Sequence, residues 1–214
     1  MTPQDASRYT KSMCAKAPII PVLVVRDVAH ARPLAEALIA GGLPVLEVTL
    51  RTPAALEVIA AMAEVKGGIV GAGTLLRPED VTAAKKAGAL FGVSPGATDR
   101  LLQAAEEQDL PMLPGAATAT EAMALLERGY DMLKFFPAEA AGGAPALKSL
   151  ASPLSQISFC PTGGVSPDNA MGYLKLPNVV CAGGSWVAPD DLVQAGNWDK
   201  ITELARAASQ LLAD

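Results

Sequence analysis

Short apolar runs alternate with longer, alanine-rich stretches along the whole chain. The apolar runs fall at 19–25, 45–50, 69–71, 90–93, 111–113, 132–135, 157–160 and 179–182. They are short and near-continuously hydrophobic, as parallel strands buried on both faces are. Between and after them lie segments of helical period at 31–40, 54–65, 79–87, 99–107, 120–128, 144–150, 167–174 and 190–195. Pro33, Pro53, Pro78 and Pro167 stand near the starts of four of these, where a missing N–H removes no helical hydrogen bond. Two flanking helices are expected at 7–16 and 198–212. Eight strand–helix units repeating at roughly twenty to twenty-five residues predict an α/β fold, a single-domain (β/α)8 TIM barrel over residues 1–214 with an extra N-terminal helix. The chain is compact for that fold, which typically takes ~250 residues. An open doubly wound sheet is the alternative arrangement.

One polar residue breaks the strand pattern. Lys134 sits in Met132-Leu133-Lys134-Phe135-Phe136. A lysine walled in by leucine and phenylalanine loses the hydration of its ammonium, which favours the neutral, nucleophilic amine. Such a lysine is a candidate for Schiff-base chemistry on a carbonyl substrate. The competing reading is an edge-strand lysine that guards against aggregation or snorkels to solvent.

Composition narrows the chemistry. The chain is half hydrophobic and carries a net charge of −5, and it has no Lys/Arg cluster, so nucleic acid is not an expected partner. No apolar stretch reaches the ~18 residues of a membrane span. The N-terminus lacks the apolar core of a signal peptide, so the expected location is the cytoplasm. Cys14, Cys160 and Cys181 are odd in number and widely spaced, which suggests neither a disulfide framework nor a zinc cluster. The single histidine, His30, reads as a solvated surface residue at a helix start, and one imidazole is too few for a histidine-based metal site. The expected chemistry rests on lysine, carboxylate, arginine and backbone amides, with no metal and no cofactor.

On a barrel, reactive groups belong at the C-terminal ends of strands, and the unusual residues fall there. Glu47, Thr49 and Arg51 alternate with Val48 and Leu50, so period two places the three polar side chains on one face. A buried structural Glu–Arg pair is the alternative, but such pairs are seldom net stabilising. The third strand ends in Gly71-Ala72-Gly73-Thr74, where glycine permits close backbone approach and Thr74 offers a hydroxyl. The last two strands end in Thr162-Gly163-Gly164 and Gly183-Gly184-Ser185. Each run precedes an expected helix, so its amides can cradle an anion. Phosphate sites in these barrels recur after strands seven and eight. This inventory describes a phosphorylated keto acid handled through an imine.

Five segments, in order, carry a resemblance: Glu47-Val-Thr-Leu-Arg51, Gly71-Ala-Gly-Thr74, Lys134-Phe-Phe-Pro-Ala-Glu139, Phe159-Cys-Pro-Thr-Gly-Gly164 and Gly183-Gly-Ser-Trp186. Together they resemble the 2-keto-3-deoxy-6-phosphogluconate (KDPG)/4-hydroxy-2-oxoglutarate (KHG) aldolase family, over about residues 19 to 198. The resemblance implies a metal-free, homotrimeric class I aldolase of the Entner–Doudoroff pathway, yielding pyruvate and glyceraldehyde 3-phosphate. Carried over residue by residue, the Schiff-base lysine is Lys134 and the general acid/base is Glu47. Arg51 and Thr74 match the residues that hold the pyruvate-side carboxylate, and Thr162 joins them as a substrate-binding candidate. Gly163, Gly164, Gly184 and Ser185 match the phosphate loops. Ala116-Ala117-Thr118 stands where family members often have Ile-Ser-Thr, a departure that bears on substrate preference. The related galactonate-series aldolase shares that alanine-rich stretch, but Arg51 and the Cys-Pro-Thr-Gly-Gly run favour the gluconate series. A phosphosugar isomerase or epimerase, with Lys134 acting only as a charge, and a non-catalytic phosphosugar-binding barrel are the rival readings.

Overall fold

The computed structural model describes residues 1–212. Nine strands are formed among them: β1 Ile19–Leu23, β2 Val45–Thr49, β3 Ile69–Gly73, β4 Gly92–Val93, β5 Met112–Leu113, β6 Gly115–Ala116, β7 Met132–Phe135, β8 Ser158–Pro161 and β9 Ala182–Gly184. The helices are α1 Pro3–Cys14, α2 Ala31–Ala40, α3 Ala55–Ala63, α4 Pro78–Lys86, α5 Asp99–Glu107, α6 Ala119–Arg128, α7 Gly143–Leu150, α8 Ala170–Leu174, α9 Asp190–Gln194 and α10 Trp198–Ser209. None of these is long and apolar enough to cross a membrane.

Every strand pair is parallel. The strands form a six-stranded sheet in the order β5-β4-β3-β2-β1-β9 and a three-stranded sheet, β6-β7-β8. This is an α/β fold with a curled parallel sheet rather than the eight uninterrupted strands expected. The departure centres on Pro114. Proline has no N–H to offer a ladder, so pairing is interrupted after the expected 111–113 run and resumes in a further short strand at Gly115–Ala116. Met112 pairs with Gly92 on one side, while Gly115 pairs with Lys134 on the other. The last strand also lies later than expected. The 178–180 segment still bonds to Phe159, but the ladder with β1 begins at Ala182.

Period two sorts the strand side chains into two cores. Ile19, Leu23, Leu46, Val48, Leu133, Phe135 and Phe159 pack outward against the helices. Ile20, Val45, Phe91, Val93, Leu113, Met132 and Cys160 point the other way and form an inner cluster with Met13 and Cys14 of α1. That inner cluster draws on both sheets. Full burial of one such side chain stabilises by about 1.5–3 kcal/mol, so α1, which puts Met13 and Cys14 at 1% and 0% exposure, is an integral plug. It starts earlier than the expected 7–16, because Thr2 caps the amide of Asp5 at 3.1 Å and Pro3 opens the first turn, a known start signal.

On four strands the residue two places beyond an inner-cluster side chain faces the same way, toward the C-terminal ends: Val22 after Ile20, Glu47 after Val45, Lys134 after Met132 and Thr162 after Cys160. The strand period therefore sets Glu47, Lys134 and Thr162 directly above an apolar floor.

Candidate functional site

Above that floor opens a cavity of about 350 Å³ at the C-terminal ends of the strands. Its walls include Glu47 and Thr49 of β2, Lys134 of β7, and Arg51, Thr74 and Thr162 from the segments that follow strands. Lys134 and Glu47 are only 5% and 3% exposed. Lys134 Nζ donates to Glu47 Oε1 at 3.4 Å and lies 5.2 Å from the centre of the Phe136 ring. The edge-strand reading of Lys134 does not hold. β7 lies between β6 and β8, and its lysine faces inward. Gly73 makes room for the carboxylate: a Cβ there would lie 2.7 Å from Glu47 Cγ and 2.8 Å from its Cδ.

Arg51 lies beyond the end of β2, is exposed, and lines the cavity mouth. Among the described residues it forms no ion pair, so the structural Glu47–Arg51 pair is not made. Thr49 does share the inward face, but its hydroxyl is committed to the Leu23 carbonyl at 2.8 Å. Thr74 is held at φ 63, a left-handed conformation that costs a β-branched residue of order 1–3 kcal/mol and recurs at functional sites.

The 162–165 turn has its carbonyls tied down and backbone donors left over. Gly163 and Gly164 have φ 100 and 81, a region that glycine enters without steric penalty. The carbonyls of Thr162, Gly163 and Gly164 accept hydrogen bonds from Ala138 N, Glu139 N and Asn169 Nδ2 at 2.8, 3.0 and 3.0 Å. Among the described residues no acceptor receives the amides of Gly164 or Val165, and both residues line the cavity with Gly163. Carbonyls anchored outward with amides left free are the arrangement of an anion nest.

Two features differ from expectation. The glycine runs do not lead straight into helices. Asn169 accepts from Ser166 N at 2.8 Å and donates to the Gly164 carbonyl, a side-chain-closed turn that competes with helix, so α8 begins only at Ala170. The second run is followed by a turn, and α9 begins at Asp190. Gly184 does not line the cavity, whereas Gly183 and Ser185 do. Its missing Cβ instead leaves space for Trp186, whose Cη2 would lie 2.6 Å away.

Phe136, Pro95, Val22, Val24 and Val165 also line the cavity and were not singled out from the sequence. Phe136, two residues past Lys134, was the most accessible to reasoning by strand period. Ala116, Ala117 and Thr118 lie outside the wall. Thr118 is the cap of α6, with Glu121 completing a capping box. His30 is half-buried against Trp198, with ring centres 5.7 Å apart, rather than solvated. The three cysteines are free and buried. Hydrogen bonding to Cys160, then burial, pushes the Cys14 thiol up, and hydrogen bonding to Cys14 does so first for Cys181. Among the described residues no group of three or more His, Cys, Asp or Glu side chains is placed to hold a metal ion.

Comparison with known proteins gives a consistent result. Residues 10–204 match the family described as "Aldolase: KDPG and KHG aldolase". The 2-dehydro-3-deoxy-phosphogluconate aldolase of Pseudoalteromonas atlantica is 53% identical over 200 residues, covering 93% of each chain. The KDPG aldolase of Zymomonas mobilis, solved with 3-phosphoglycerate, superposes with a TM-score of 0.89 at 52% identity, over 95% of this chain and 96% of that one. The KDPG aldolase of Legionella pneumophila, solved with pyruvate captured as a covalent carbinolamine, gives 0.90 at 46% identity, over 93% and 97%.

Proposed function

Because the chain belongs to the KDPG and KHG aldolase family, we propose that it is a class I aldolase, a carbon–carbon lyase that cleaves KDPG to pyruvate and glyceraldehyde 3-phosphate. The observation that carries this is Lys134, buried at the C-terminal end of β7 with Glu47 at 3.4 Å in a cavity walled by an anion nest. The family's description extends the reading to 4-hydroxy-2-oxoglutarate, since the same imine serves any such keto acid.

The neutral Lys134 amine adds to the C2 ketone, and the carbinolamine loses water to give an iminium. Glu47, through a water, takes the proton of the C4 hydroxyl. The C3–C4 bond then breaks, its electron pair flows into the iminium to form an enamine, and glyceraldehyde 3-phosphate departs. Protonation at C3 restores the iminium, and water releases pyruvate and the free amine. Arg51 at the mouth and the Thr74 hydroxyl hold the pyruvate-side carboxylate, the first as a charge-assisted donor. Thr162 contacts the bound chain, and the Gly163–Gly164 turn with Ser185 receives the phosphate. Gly184 serves this end indirectly, by admitting Trp186.

We further infer that the two sheets form one closed (β/α)8 barrel. In support, β5 and β6 are a single strand broken at Pro114, bridges join Phe159 to Val179 and Thr162 to Gly183, and the inner core draws on both sheets. The chain acts as one domain. The enzyme is a homotrimer of the cytoplasm and needs no metal, which rests on the family resemblance.

Borohydride reduction in the presence of pyruvate, followed by intact mass and peptide mapping, tests the core of the proposal. A reduced pyruvate adduct on Lys134 supports class I chemistry. A folded protein that forms no adduct defeats it and favours the isomerase or binding readings.

A further inference from the structure

Glu139 closes the Lys134-Phe-Phe-Pro-Ala-Glu139 segment, and the mechanism above does not use it. It lies in the 137–142 loop, whose backbone holds the anion turn: Ala138 N and Glu139 N anchor the carbonyls of Thr162 and Gly163. Its side chain also packs on the turn, since a Cβ on Gly164 would stand 2.6 Å from Glu139 Cγ and 2.8 Å from its Cβ. The loop itself is largely exposed at Pro137, Glu139 and Ala140. Among the described residues it has one side-chain hydrogen bond to the rest of the protein, from the hydroxyl of Tyr173 to Glu139 Oε1. Tyr173 belongs to α8 and is 1% exposed. Burial first, and Glu139 second, push its phenol well up, so it stays a donor throughout the neutral range. The turn is thus gripped from two sides, by the 137–142 loop and by Asn169 ahead of α8, and the Tyr173–Glu139 bond joins the two sides.

We propose that Glu139 and Tyr173 are positioning residues that hold the Gly164 and Val165 amides toward the cavity and so set the affinity for the phosphate end of the substrate. Neither contacts the reacting carbons. The proposal rests on the reading of that turn as the phosphate cradle.

Tyr173→Phe removes only the hydroxyl, and Glu139→Ala removes its acceptor and the Cγ packed on Gly164. Glu139→Gln retains an acceptor oxygen and the packing. Steady-state cleavage is measured on KDPG and on 2-keto-3-deoxygluconate, the same chain without its phosphate, alongside pyruvate trapping and direct titration with inorganic phosphate. Losing one such hydrogen bond predicts a KM for KDPG raised about fivefold in Tyr173→Phe and Glu139→Ala. Phosphate binding should weaken in parallel. The kcat, the unphosphorylated substrate and pyruvate trapping should stay at wild-type values, and Glu139→Gln should bring KM back to wild type or below. Unchanged KM and phosphate binding in both disrupting variants would overturn the proposal. So would equal losses on both substrates, which mark a merely structural role. A wild type that binds phosphate without cleaving KDPG would count against the assigned activity, and the phosphate titration would still judge the clamp.

Discussion

Gly73→Ala is the most discriminating change available at the site, because its whole cost is steric. The backbone of Gly73 lies outside the positive-φ region, so alanine is conformationally acceptable there. The added Cβ would stand 2.7 Å from Glu47 Cγ and 2.8 Å from Cδ. Carbon pairs settle at ~3.5–4.0 Å, so the carboxylate must retreat by about 1 Å. It is 3% exposed, so the only space it can retreat into is the cavity it lines, away from its place beside Lys134. Overpacking of this kind costs about 1–3 kcal/mol of stability, which a core of this size tolerates. Catalysis is more sensitive, since a misplacement of ~1 Å can lower the rate by about 10²-fold. The assay couples released pyruvate to NADH oxidation and is read beside thermal unfolding. The expected result is a folded protein with kcat down by about two orders of magnitude that still forms the borohydride-trapped pyruvate adduct. Gly172→Ala in α8 is the control, since a Cβ there meets nothing within 4 Å, and it should be neutral or slightly stabilising. Wild-type kcat in a folded Gly73→Ala protein would refute the placement of Glu47 as the acid/base.

Lys134→Arg keeps charge and bulk but cannot form the imine, so neither adduct nor cleavage should be detectable by mass and coupled assay. Glu47→Gln should still trap pyruvate while cleavage falls roughly 10²–10⁴-fold, and equal loss of trapping would move Glu47 out of proton transfer. Thr118→Ala, which removes the cap of α6, should cost about 1 kcal/mol in chemical denaturation with kcat unchanged, because Thr118 lies outside the cavity wall. Its partner Glu121 has its carboxyl held below the usual 4.5, first by the Ala117 amide and then by Thr118. A lowered folded value means that the stabilisation is complete above the unfolded value and is lost as pH falls through the folded one. The stability gap between wild type and Glu121→Gln should therefore be steady at neutral pH and close below about pH 4.5. A gap that is constant into acid would refute the capping charge.

The one-dimensional pattern determined what depends on neighbours in the chain. Strand positions followed from apolar runs, the shared face of Glu47 and Thr49 followed from period two, the burial of Lys134 followed from its apolar neighbours, and the glycine turns followed from composition. Local spacing could not decide where a continuous apolar run is broken by hydrogen-bond supply. The divided ladder at Pro114 depends on which strands flank it, and the late start of α8 depends on Asn169 preferring the Ser166 amide and the Gly164 carbonyl to helix. Motif alone did not show that Gly184 lies outside the cavity lining, with its missing Cβ leaving space for Trp186. Glu47 and Lys134 are 87 residues apart and meet at 3.4 Å, and Glu139 and Tyr173 are 34 apart and bond between the 137–142 loop and α8. Side-chain chemistry is written residue by residue, so the sequence by itself determined which groups were available. Distances between groups on different strands arise only when the sheets curl around a shared core, so the tertiary structure alone decided which of them could act together.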